Sequence, residues 1–366
     1  MPDDATDAQA YPGPRLVFWE TTAACNLECV HCRRLDVAHE LCRSDMTTEQ
    51  AARMIDQIAA FASPILVFSG GEPLMRPDVF DLAVRARDGG LITALATNGT
   101  MIDAAMADRI AAAGFHRVSV SLDGADAATH DAFRKLPGSF DLALSGLVHL
   151  QAAGVPTQVN CTIARHNDEQ IPDVLAVAQR VGAVAAHFFL LVPVGCGEQI
   201  AEDQMLTPEQ TEERLTQLHH LSESSALQIK ATCAPHYYRI VRQHGGGDRR
   251  KARHPGGAPG GHPMHAMTKG CLAGTGVCFV SHKGEVFPCG YLPVNAGNVL
   301  EQDFRRIWQS SEVFERLRDA DLLTGKCGRC QFKGVCGGCR ARAFYEHGDY
   351  LAEEPFCIYQ PSEGPD

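Results

Sequence analysis

The sequence predicts an α/β protein, a partial (β/α)6 TIM-like barrel followed by a C-terminal cysteine-rich domain. Between residues 15 and 193, short apolar runs rich in β-branched residues alternate with amphipathic helical patterns. Such alternation is typical of βα units around a parallel sheet that is buried on both faces. Six units are too few to close the eight-stranded barrel of the TIM fold. Eight of the fifteen cysteines then lie beyond residue 270, where apolar residues are too sparse for a separate core.

The barrel elements are predicted in chain order from these patterns. A capping box of Thr47 and Gln50 starts the helix after the first strand, and Thr207 with Gln210 starts a later helix. Ligands of parallel α/β folds collect at the carboxyl ends of the strands, so we expect site residues there. The six predicted strands are Arg15–Glu20, Ile65–Gly70, Ile92–Asn98, Arg117–Asp123, Thr157–Ile163 and His187–Val192.

The chain divides into four predicted segments. The stretch Gly245–Gly261 is rich in Gly, Pro and basic residues and has no periodicity, which predicts a linker or mobile loop. Beyond it, two short apolar runs around Lys283-Gly284 predict a small hairpin, and Phe304–Leu317 has a helical pattern. The segments are an N-terminal extension at 1–14, the barrel at 15–230, a connecting segment with the flexible loop at 231–269, and the cysteine-rich domain at 270–366.

Composition excludes several classes of function. The net charge of -11 disfavours binding to a phosphate backbone, which requires basic patches, so we expect no nucleic acid partner. No apolar run approaches the ~18 residues of a membrane span, and the acidic N-terminus lacks the pattern of a signal peptide. We therefore expect a cytoplasmic protein with no membrane partner. Fifteen cysteines in that compartment indicate metal ligation, because cytosolic thiols stay reduced.

Three cysteines form a C-x3-C-x2-C motif at the mouth of the first predicted strand: Cys25, Cys29 and Cys32. An iron–sulfur cube takes four thiolates, so a site with three cysteines leaves one coordination position open for a substrate or cofactor. The alternatives are a structural thiol group and half of a zinc site, although a zinc site requires a second ligand pair nearby. At these residues the chain resembles the radical S-adenosylmethionine (SAM) superfamily.

The resemblance implies a specific chemistry for this motif. The three cysteines would hold a 4Fe-4S cluster whose fourth ligand is the amine and carboxylate of SAM, and the reduced cluster would cleave SAM to a 5′-deoxyadenosyl radical. It also implies an electron donor such as flavodoxin or ferredoxin. His31 occupies the position where the superfamily often has an aromatic residue near the adenine.

A glycine-rich turn, Ser69-Gly70-Gly71-Glu72-Pro73, follows the second predicted strand. Its glycines allow a backbone to approach a ligand closely, and Glu72 can accept hydrogen bonds from an ammonium group. Alone, such a string is a turn signal. Its place at a strand end after the cysteine motif resembles the superfamily's site for the methionine amine of SAM. The resemblance assigns Gly70, Gly71 and Glu72 to cofactor binding.

Later strand ends carry further candidate cofactor residues. By the resemblance, Ser121 at the end of the fourth strand and Arg134 on the following helix contact the SAM carboxylate. Asn98, Asp123 and Asn160 are candidates for polar contacts that line the same pocket. Asn and Asp at strand ends are also common turn residues, so a turn role is the alternative for these three.

The C-terminal cysteines follow the pattern C-x12-G-x4-C through Gly284, then C-x2-C-x5-C-x2-C and a last cysteine. This pattern resembles the SPASM module of radical SAM enzymes, which holds two auxiliary 4Fe-4S clusters. The alternative is a pair of zinc sites, because four cysteines with C-x2-C spacing also suit zinc. The resemblance assigns Cys271, Cys278, Cys289 and Cys339 to the first auxiliary cluster, and Cys327, Cys330, Cys336 and Cys357 to the second.

One spacing departs from the usual pattern of the module. The interval before the penultimate cysteine, Cys339, is usually three residues. Here it is two, Gly337 and Gly338, so the assignment of Cys339 departs from the pattern of the module. The cysteines outside the motifs are expected to be buried or incidental thiols that behave as small hydrophobes. They are Cys42, Cys161, Cys196 and Cys233.

Strings outside the cysteine motifs resemble the heme b synthase family of the siroheme-dependent pathway. They are LLVP at 190–193, ATCAPHYYR at 231–239, GCLAGTG at 270–276 and GDYLAEEPFC at 348–357. The resemblance implies a tetrapyrrole substrate, iron-coproporphyrin III, of which two propionates become vinyl groups by oxidative decarboxylation. A radical SAM/SPASM peptide maturase and a didecarboxysiroheme deacetylase are alternatives. A non-catalytic zinc or iron–sulfur protein is a third, although it would not need the motifs at the strand ends.

A tetra-anionic porphyrin requires cationic and aromatic side chains around its pocket. Candidates for this role are Lys230, His236, Tyr237, Tyr238, Arg239 and Arg242. His236 is also a candidate ligand of the substrate iron, as are His262 and His265 unless their loop is simply solvated. The alternative for the segment is an amphipathic helix in which Tyr237 and Ile240 pack while the two arginines face water.

Overall fold

The computed structural model describes residues 11–33, 44–245 and 269–362. Cys42, His262, His265 and most of the predicted loop lie outside the described residues. The strands are Leu16–Glu20 (β1), Ile65–Ser69 (β2), Ile92–Thr97 (β3), Arg117–Ser121 (β4), Thr157–Ile163 (β5), Ala185–Leu190 (β6), Gln228–Thr232 (β7), Val277–Val280 (β8), Glu285–Phe287 (β9) and Gly297–Asn298 (β10).

The described helices surround and extend this sheet. None of them is long and apolar enough to cross a membrane. They are Thr48–Phe61 (α1), Val79–Asp88 (α2), Ala104–Ala113 (α3), Ala127–Arg134 (α4), Ser139–Ala152 (α5), Ile171–Arg180 (α6), Cys196–Gln199 (α7), Ala201–Gln204 (α8), Pro208–Ser224 (α9), Tyr237–Gln243 (α10), Phe304–Ser310 (α11), Glu312–Arg318 (α12), Gly325–Gly328 (α13) and Arg340–His347 (α14).

Strands β1 to β7 form the barrel sheet. They lie side by side in chain order, and each is hydrogen-bonded in parallel to the next. The predicted partial (β/α)6 barrel is confirmed, with a seventh parallel strand after the sixth unit. The two capping boxes are confirmed as well, since the side chains of Thr47 and Thr207 accept hydrogen bonds from the backbone N–H of Gln50 and Gln210.

Strands β2, β3, β4 and β6 end one or two residues earlier than predicted, and β6 and β7 differ from the prediction in further ways. β6 begins at Ala185, two residues earlier than predicted, because a pair of alanines carries no β-branched signal. β7 has no counterpart among the predicted strands, because three of its five residues are polar: Gln228, Lys230 and Thr232. The barrel therefore extends through β7, beyond the predicted boundary at residue 230.

The cysteine-rich segment shares the sheet of the barrel. β8 pairs in parallel with the free side of β1, and β8 and β9 form the predicted hairpin. The predicted helix over 304–317 is broken at Ser311 into α11 and α12. Phe304, Trp308 and Phe314 from these helices pack in the same apolar cluster as Val17 of β1. The segment therefore needs no separate core, because it completes the core of the barrel.

The two faces of the barrel sheet differ in chemistry. Outward-facing residues such as Trp19, Phe68 and Val118 belong to the continuous apolar core under the helices. The inward face is apolar at β1 to β3, where a separate cluster includes Val67 and Ala94. At β4 to β7 the inward face is polar and partly cationic. Its polar side chains there include Arg117, Gln158, Asn160, His187, Gln228 and Lys230.

Candidate functional site

The cysteines of the C-x3-C-x2-C motif lie in the loop after β1, and the turn after β2 holds this loop in place. The backbone N–H groups of Gly71 and Glu72 donate to the carbonyls of Thr22 (3.0 Å) and Ala24 (2.7 Å). A Cβ at Gly71 would lie 2.1 Å from the Ala24 oxygen, and Gly70 has a φ of +141°. Only glycine permits this approach. The two glycines therefore allow the turn after β2 to pack directly against the cysteine loop.

The thiols of this loop suit metal ligation. All three are half-buried. The Leu27 N–H donates to Cys25 Sγ (3.4 Å), and Arg134 Nη1 donates to Cys29 Sγ (3.7 Å). Burial raises the pKa of Cys25 to about 11 and also raises the pKa of Cys29, so these thiols require a metal to be ionised at neutral pH. A set of three thiolates with one open position fits an iron–sulfur cluster with an exchangeable ligand.

Glu72 is fully buried behind the cysteine loop. Its Oε1 accepts hydrogen bonds from the Leu74 N–H (3.1 Å) and Thr97 Oγ1 (2.8 Å), and its Oε2 accepts from the Asn98 N–H (2.8 Å). A carboxylate has about four acceptor positions, so Oε2 has room for one further donor. Burial raises the pKa of Glu72, and an ammonium group at Oε2 would offset this effect. The arrangement therefore fits an amine ligand.

Asp123 and Arg134 form a buried ion pair beside the cysteine loop. Arg134 Nη2 lies 2.5 Å from Asp123 Oδ2, and Asp123 Oδ1 accepts from the Thr162 N–H at 2.7 Å. Burial opposes ionisation of Asp123, but the positive charge of Arg134 holds the pKa of this carboxyl below its usual value. Arg134 Nε is buried and has no hydrogen-bond partner among the described residues. This N–H group is available to an anionic ligand.

An aromatic stack flanks the ion pair. The ring of His31 lies 4.3 Å from that of Phe133 at an interplanar angle of 7°, and Phe133 stacks in turn on His166 at 4.0 Å. Burial lowers the pKa of His31 to about 3, so its ring is neutral at neutral pH. A flat neutral ring at this position suits packing against a planar base. His166 is not among the residues predicted from the sequence, and its only signal is its place just after β5.

The remaining predicted cofactor residues have different surroundings. The side chain of Asn98 bonds to Asn26 (2.8 Å) and Thr100 (2.7 Å), so it ties the cysteine loop to the turn after β3. Ser121 and Asn160 are register partners on β4 and β5. Asn160 Oδ1 accepts from the Gln158 side chain rather than standing at the cofactor end. Ser121 and Asn160 therefore lie side by side at one level of the inward face, where Asn160 is also part of a polar network.

The predicted substrate segment is mostly buried. Tyr237 packs in the main core, as in the amphipathic-helix alternative, and Arg242 is exposed. Arg239 does not face water, because a carboxylate of α9 pairs with its guanidinium. His236 is fully buried, and neither ring nitrogen has a hydrogen-bond partner among the described residues. Lys230 lies apart from the others on the inward face of the barrel.

The four cysteines predicted for the second auxiliary cluster lie together in the structure. The Sγ atoms of Cys327 and Cys336 accept hydrogen bonds from backbone N–H groups at 3.3 and 3.5 Å, and Arg239 Nη2 lies 3.9 Å from Cys357 Sγ. Donors of this kind stabilise the thiolates of a cluster. The residues present therefore fit a four-cysteine cluster. Its four cysteines line one cavity: Cys327, Cys330, Cys336 and Cys357.

Of the four cysteines predicted for the first auxiliary cluster, three lie near one another and the fourth lies apart. Burial and the neighbouring thiols of Cys271 and Cys339 raise the pKa of Cys289 to about 12, so these three thiols lie within electrostatic range of one another. Cys278 lies apart, fully buried in the main core on the outward face of β8. Its neighbour Phe279 faces the other way, so the alternation of the strand separates Cys278 from the set. Cys233, which the motifs leave unassigned, packs with Cys289 and Cys339.

Two glycines explain how closely spaced cysteines join different sets. Gly337 and Gly338 have φ values of +72° and +61°, and this left-handed turn is accessible to glycine without strain. Cys336 before the turn lines the cavity of the second set, whereas Cys339 after it packs in the same apolar cluster as Cys289. No group of three or more His, Cys, Asp or Glu in the described ranges could hold a single metal ion. This finding bears on the zinc alternative, because a zinc site places all of its ligands around one ion. The thiolates of an iron–sulfur cluster bind different irons, so the finding does not apply to them.

The fold and the thiol sets define a class of protein, an α/β partial-barrel enzyme built to hold iron–sulfur clusters. The sequence matches the radical SAM superfamily over residues 19–178 and an iron–sulfur cluster-binding domain, SPASM, over residues 271–331. It is 49% identical to an AdoMet-dependent heme synthase from Methanosarcina barkeri, over 96% of this chain and 98% of that protein. The chain therefore belongs to the radical SAM superfamily and to the same family as this relative.

Other relatives agree with this membership. The chain is 44% identical to an AdoMet-dependent heme synthase from Nitratidesulfovibrio vulgaris, over 96% of this chain and 94% of that protein. It is 32% identical to an Fe-coproporphyrin III synthase from Methanosarcina barkeri, over 95% and 88%. SuiB from Streptococcus suis, solved with its precursor peptide SuiA, is similar with a TM-score of 0.75, covering 96% of this chain and 77% of SuiB. At 14% identity this last likeness shows the fold alone.

Proposed function

We propose that the protein is a radical SAM oxidoreductase that converts two propionates of iron-coproporphyrin III to vinyl groups and so makes heme b. The observation that carries the proposal is 49% identity, over nearly the whole of both chains, to a protein named AdoMet-dependent heme synthase. The lower identity of 32% to the Fe-coproporphyrin III synthase favours heme synthesis over other tetrapyrrole chemistry. The site geometry supports the reaction class independently.

The proposed cofactor site lies at the carboxyl ends of β1 to β4. Glu72 Oε2 receives the amine of SAM, because one acceptor position remains there beside the Asn98 N–H. Arg134 Nε and the Ser121 hydroxyl bind its carboxylate. Asp123 positions Arg134 through their ion pair. We also propose that His31 packs against the adenine. The cluster ligands at this site are Cys25, Cys29 and Cys32.

The protein also controls the surroundings of the reaction. When bound, SAM and three 4Fe-4S clusters supply a 5′-deoxyadenosyl radical and an outlet for the electron left after decarboxylation. The apolar inward face around Val67 and Ala94 excludes water from the neighbourhood of a reactive radical. The turn of Gly70 and Gly71 fixes the cysteine loop against the barrel before substrate binds.

The proposal divides the work between two regions. The barrel, from residue 15 through β7, binds SAM and the substrate, and the domain at 270–366 carries the two auxiliary clusters. An external donor such as flavodoxin or ferredoxin supplies electrons. A cytoplasmic location is part of the proposal, because the free thiols of three cluster sites require a reducing compartment.

Anaerobic incubation with SAM, dithionite and iron-coproporphyrin III is expected to yield heme b together with 5′-deoxyadenosine. Liquid chromatography with mass spectrometry detects both products, and didecarboxysiroheme in a parallel mixture serves as the competing substrate. Conversion of didecarboxysiroheme alone would replace the proposed substrate with the deacetylase alternative. Deoxyadenosine without a change in either tetrapyrrole would contradict a tetrapyrrole substrate and favour a peptide.

A further inference from the structure

Cys233 lies beside the first auxiliary set although no motif includes it. It follows β7 directly, at the carboxyl end of the sheet. It packs, half-buried, in the apolar cluster that contains Cys289 and Cys339. Gly270 joins the two segments, since a Cβ there would lie 2.8 Å from the Pro235 side chain. The chain therefore brings a fourth thiol to a set that holds only three without it.

The backbone at Cys233 is strained. Its φ is +55°, and the other non-glycine residue with positive φ in the described ranges is Lys135. Lys135 is the C-cap of α4, where a left-handed residue is ordinary. Cys233 caps no helix and follows a strand instead. Such a conformation is unfavourable for a residue with a side chain and persists where the surroundings require it, which is common at functional sites.

The electrostatic surroundings agree with this placement. Cys271, Cys289 and Cys339 all lie close enough to the Cys233 thiol to interact with it electrostatically. By contrast, no cysteine interacts in this way with Cys278, which lies in the main core. Cys233 thus shares the environment of the set, and Cys278 does not.

We propose that Cys233 ligates the first auxiliary cluster together with Cys271, Cys289 and Cys339. It takes the place that the spacing of the motif gives to Cys278. A 4Fe-4S cluster takes four protein thiolates when none of its irons binds another ligand, and these four residues supply them. The assignment does not depend on which substrate the enzyme uses.

The test compares Cys233→Ala with Cys278→Ala, both built on a background in which the SAM-site cysteines are alanine. After anaerobic reconstitution the background protein is expected to hold about eight irons. Cys233→Ala should lose iron toward about four, or convert one cluster to a three-iron form that Mössbauer and EPR spectra identify. Cys278→Ala should keep the iron content and spectra of the background.

The outcomes separate ligation from folding. Thermal unfolding and circular dichroism of the apoproteins check that both variants fold as the background does. An unchanged iron content and spectrum in Cys233→Ala would overturn the proposal, as would loss of a cluster in a folded Cys278→Ala. Replacing Cys233 with Ser offers an oxygen ligand instead, and the proposal expects this variant to retain the cluster with a shifted EPR spectrum.

A second, independent observation concerns the inward face of the barrel. Asn160, His187 and Lys230 are register partners on β5, β6 and β7, and Ser121 on β4 completes the same row. The row therefore runs from a proposed SAM contact to a lysine that is half-buried in the barrel. Arg117 adds a second cation on the same face, near the start of β4.

Gln158 fixes the protonation of the histidine in this row. Arg117 Nη1 lies 3.4 Å from Gln158 Oε1, which leaves Gln158 Nε2 as donor to Asn160 Oδ1 (2.7 Å) and to His187 Nδ1 (2.9 Å). His187 Nδ1 therefore accepts, and the proton of the neutral ring is on Nε2. This Nε2–H is buried and has no partner among the described residues. A buried donor of this kind requires an acceptor.

The charges of the row point to an anionic acceptor. Burial, and then the positive charges of Arg117 and Arg15, lower the pKa of Lys230 to about 8. Cations that repel one another in a low-dielectric interior are stabilised by a bound anion. A carboxylate has two oxygens and accepts from an ammonium and an imidazole N–H together.

We infer that this inward cationic site, formed by Arg117, His187 and Lys230, binds a carboxylate of the substrate. The inference rests on the proposed function, in which the carboxylate is a propionate of iron-coproporphyrin III. Four propionates surround that porphyrin and two react, so a propionate held here would orient another toward the cofactor. The row from Ser121 to Lys230 connects the two positions.

Lys230→Met removes the charge and retains the length of the side chain. Binding of iron-coproporphyrin III, followed by its Soret absorbance, is expected to weaken about tenfold or more, the usual effect of losing a charge-assisted hydrogen bond. Iron content and SAM binding should remain those of the parent. The control is Arg180→Met, which removes an exposed cation at the end of α6.

Unchanged porphyrin affinity in Lys230→Met would overturn this site. Equal weakening in Arg180→Met would also overturn it, because the effect would then reflect net charge alone. If the parent protein itself binds no porphyrin, the proposed function fails. This result is distinct from failure of the cationic site, because it appears without any substitution.

Discussion

Replacing Cys25, Cys29 and Cys32 together with Ala is expected to abolish SAM cleavage. The three thiols are half-buried, and only one sulfur is lost at each position. The loop remains held by backbone bonds, including Val30 N–H to the Phe133 carbonyl at 3.0 Å. The substitution therefore removes the metal ligands and leaves the barrel folded. Without the cluster no electron reaches SAM, so 5′-deoxyadenosine formation should fall to the level of a mixture without protein.

Iron content distinguishes this loss from general damage. The triple variant is expected to retain about eight of about twelve irons, because the auxiliary sets lie elsewhere. Cys161→Ala serves as the matched control, since Cys161 is a buried thiol of the apolar core and belongs to no set. It should retain both SAM cleavage and iron. Cleavage by the triple variant at the rate of the parent would refute the assignment to radical SAM chemistry.

The cysteine loop and the turn after β2 were predictable from the sequence because both are local. The ligands of the first site lie within eight residues, and the turn follows a strongly apolar strand. The residue that the glycines contact could not be predicted in this way. Gly71 approaches Ala24, more than forty residues earlier, and no local pattern records a contact of that separation. The sequence therefore indicated where a close approach occurs but not what is approached.

The inward face of β7 and the first auxiliary set illustrate the same limit. Three of the five residues of β7 are polar, so it lacks the nearly continuous apolar run by which the other strands of the barrel were predicted. The spacing of Cys278 suits the motif, but pairing with β1 turns its side chain into the core. Cys233 gains its role from the end of a strand that the sequence did not reveal. In each case the pairing of distant strands decides which residues meet.

Replacing Glu354 with Ala is expected to destabilise the cysteine-rich domain and to lower the iron content of the first auxiliary set. Glu354 is fully buried, and its Oε1 lies 3.0 Å from Arg342 Nε. Its Oε2 accepts from the Cys339 N–H at 2.5 Å. Its own N–H donates to Cys327 Sγ at 3.3 Å. One residue therefore contacts a cysteine of each auxiliary set, by its side chain in one case and by its backbone in the other.

The expected loss of stability follows from the buried charge. Burial opposes ionisation of Glu354, but Arg342 and His236 hold its pKa at about 2, so the carboxylate is charged at neutral pH. Arg342 is equally buried, and removing its partner leaves an uncompensated charge at a cost of about 3–5 kcal/mol. The Cys339 N–H also loses its acceptor, which adds about 1–3 kcal/mol. Glu354→Gln, which retains an acceptor without the charge, should fall between Ala and the parent.

Anaerobic urea unfolding measures the free energy, and iron analysis with EPR resolves the two auxiliary clusters. Glu346→Ala is the control, because Glu346 is exposed on α14 and its loss should change neither quantity. An unfolding midpoint of Glu354→Ala equal to that of the parent would contradict the expected role. Because the contact to Cys327 comes from the backbone and survives the substitution, the second cluster should retain its iron better than the first.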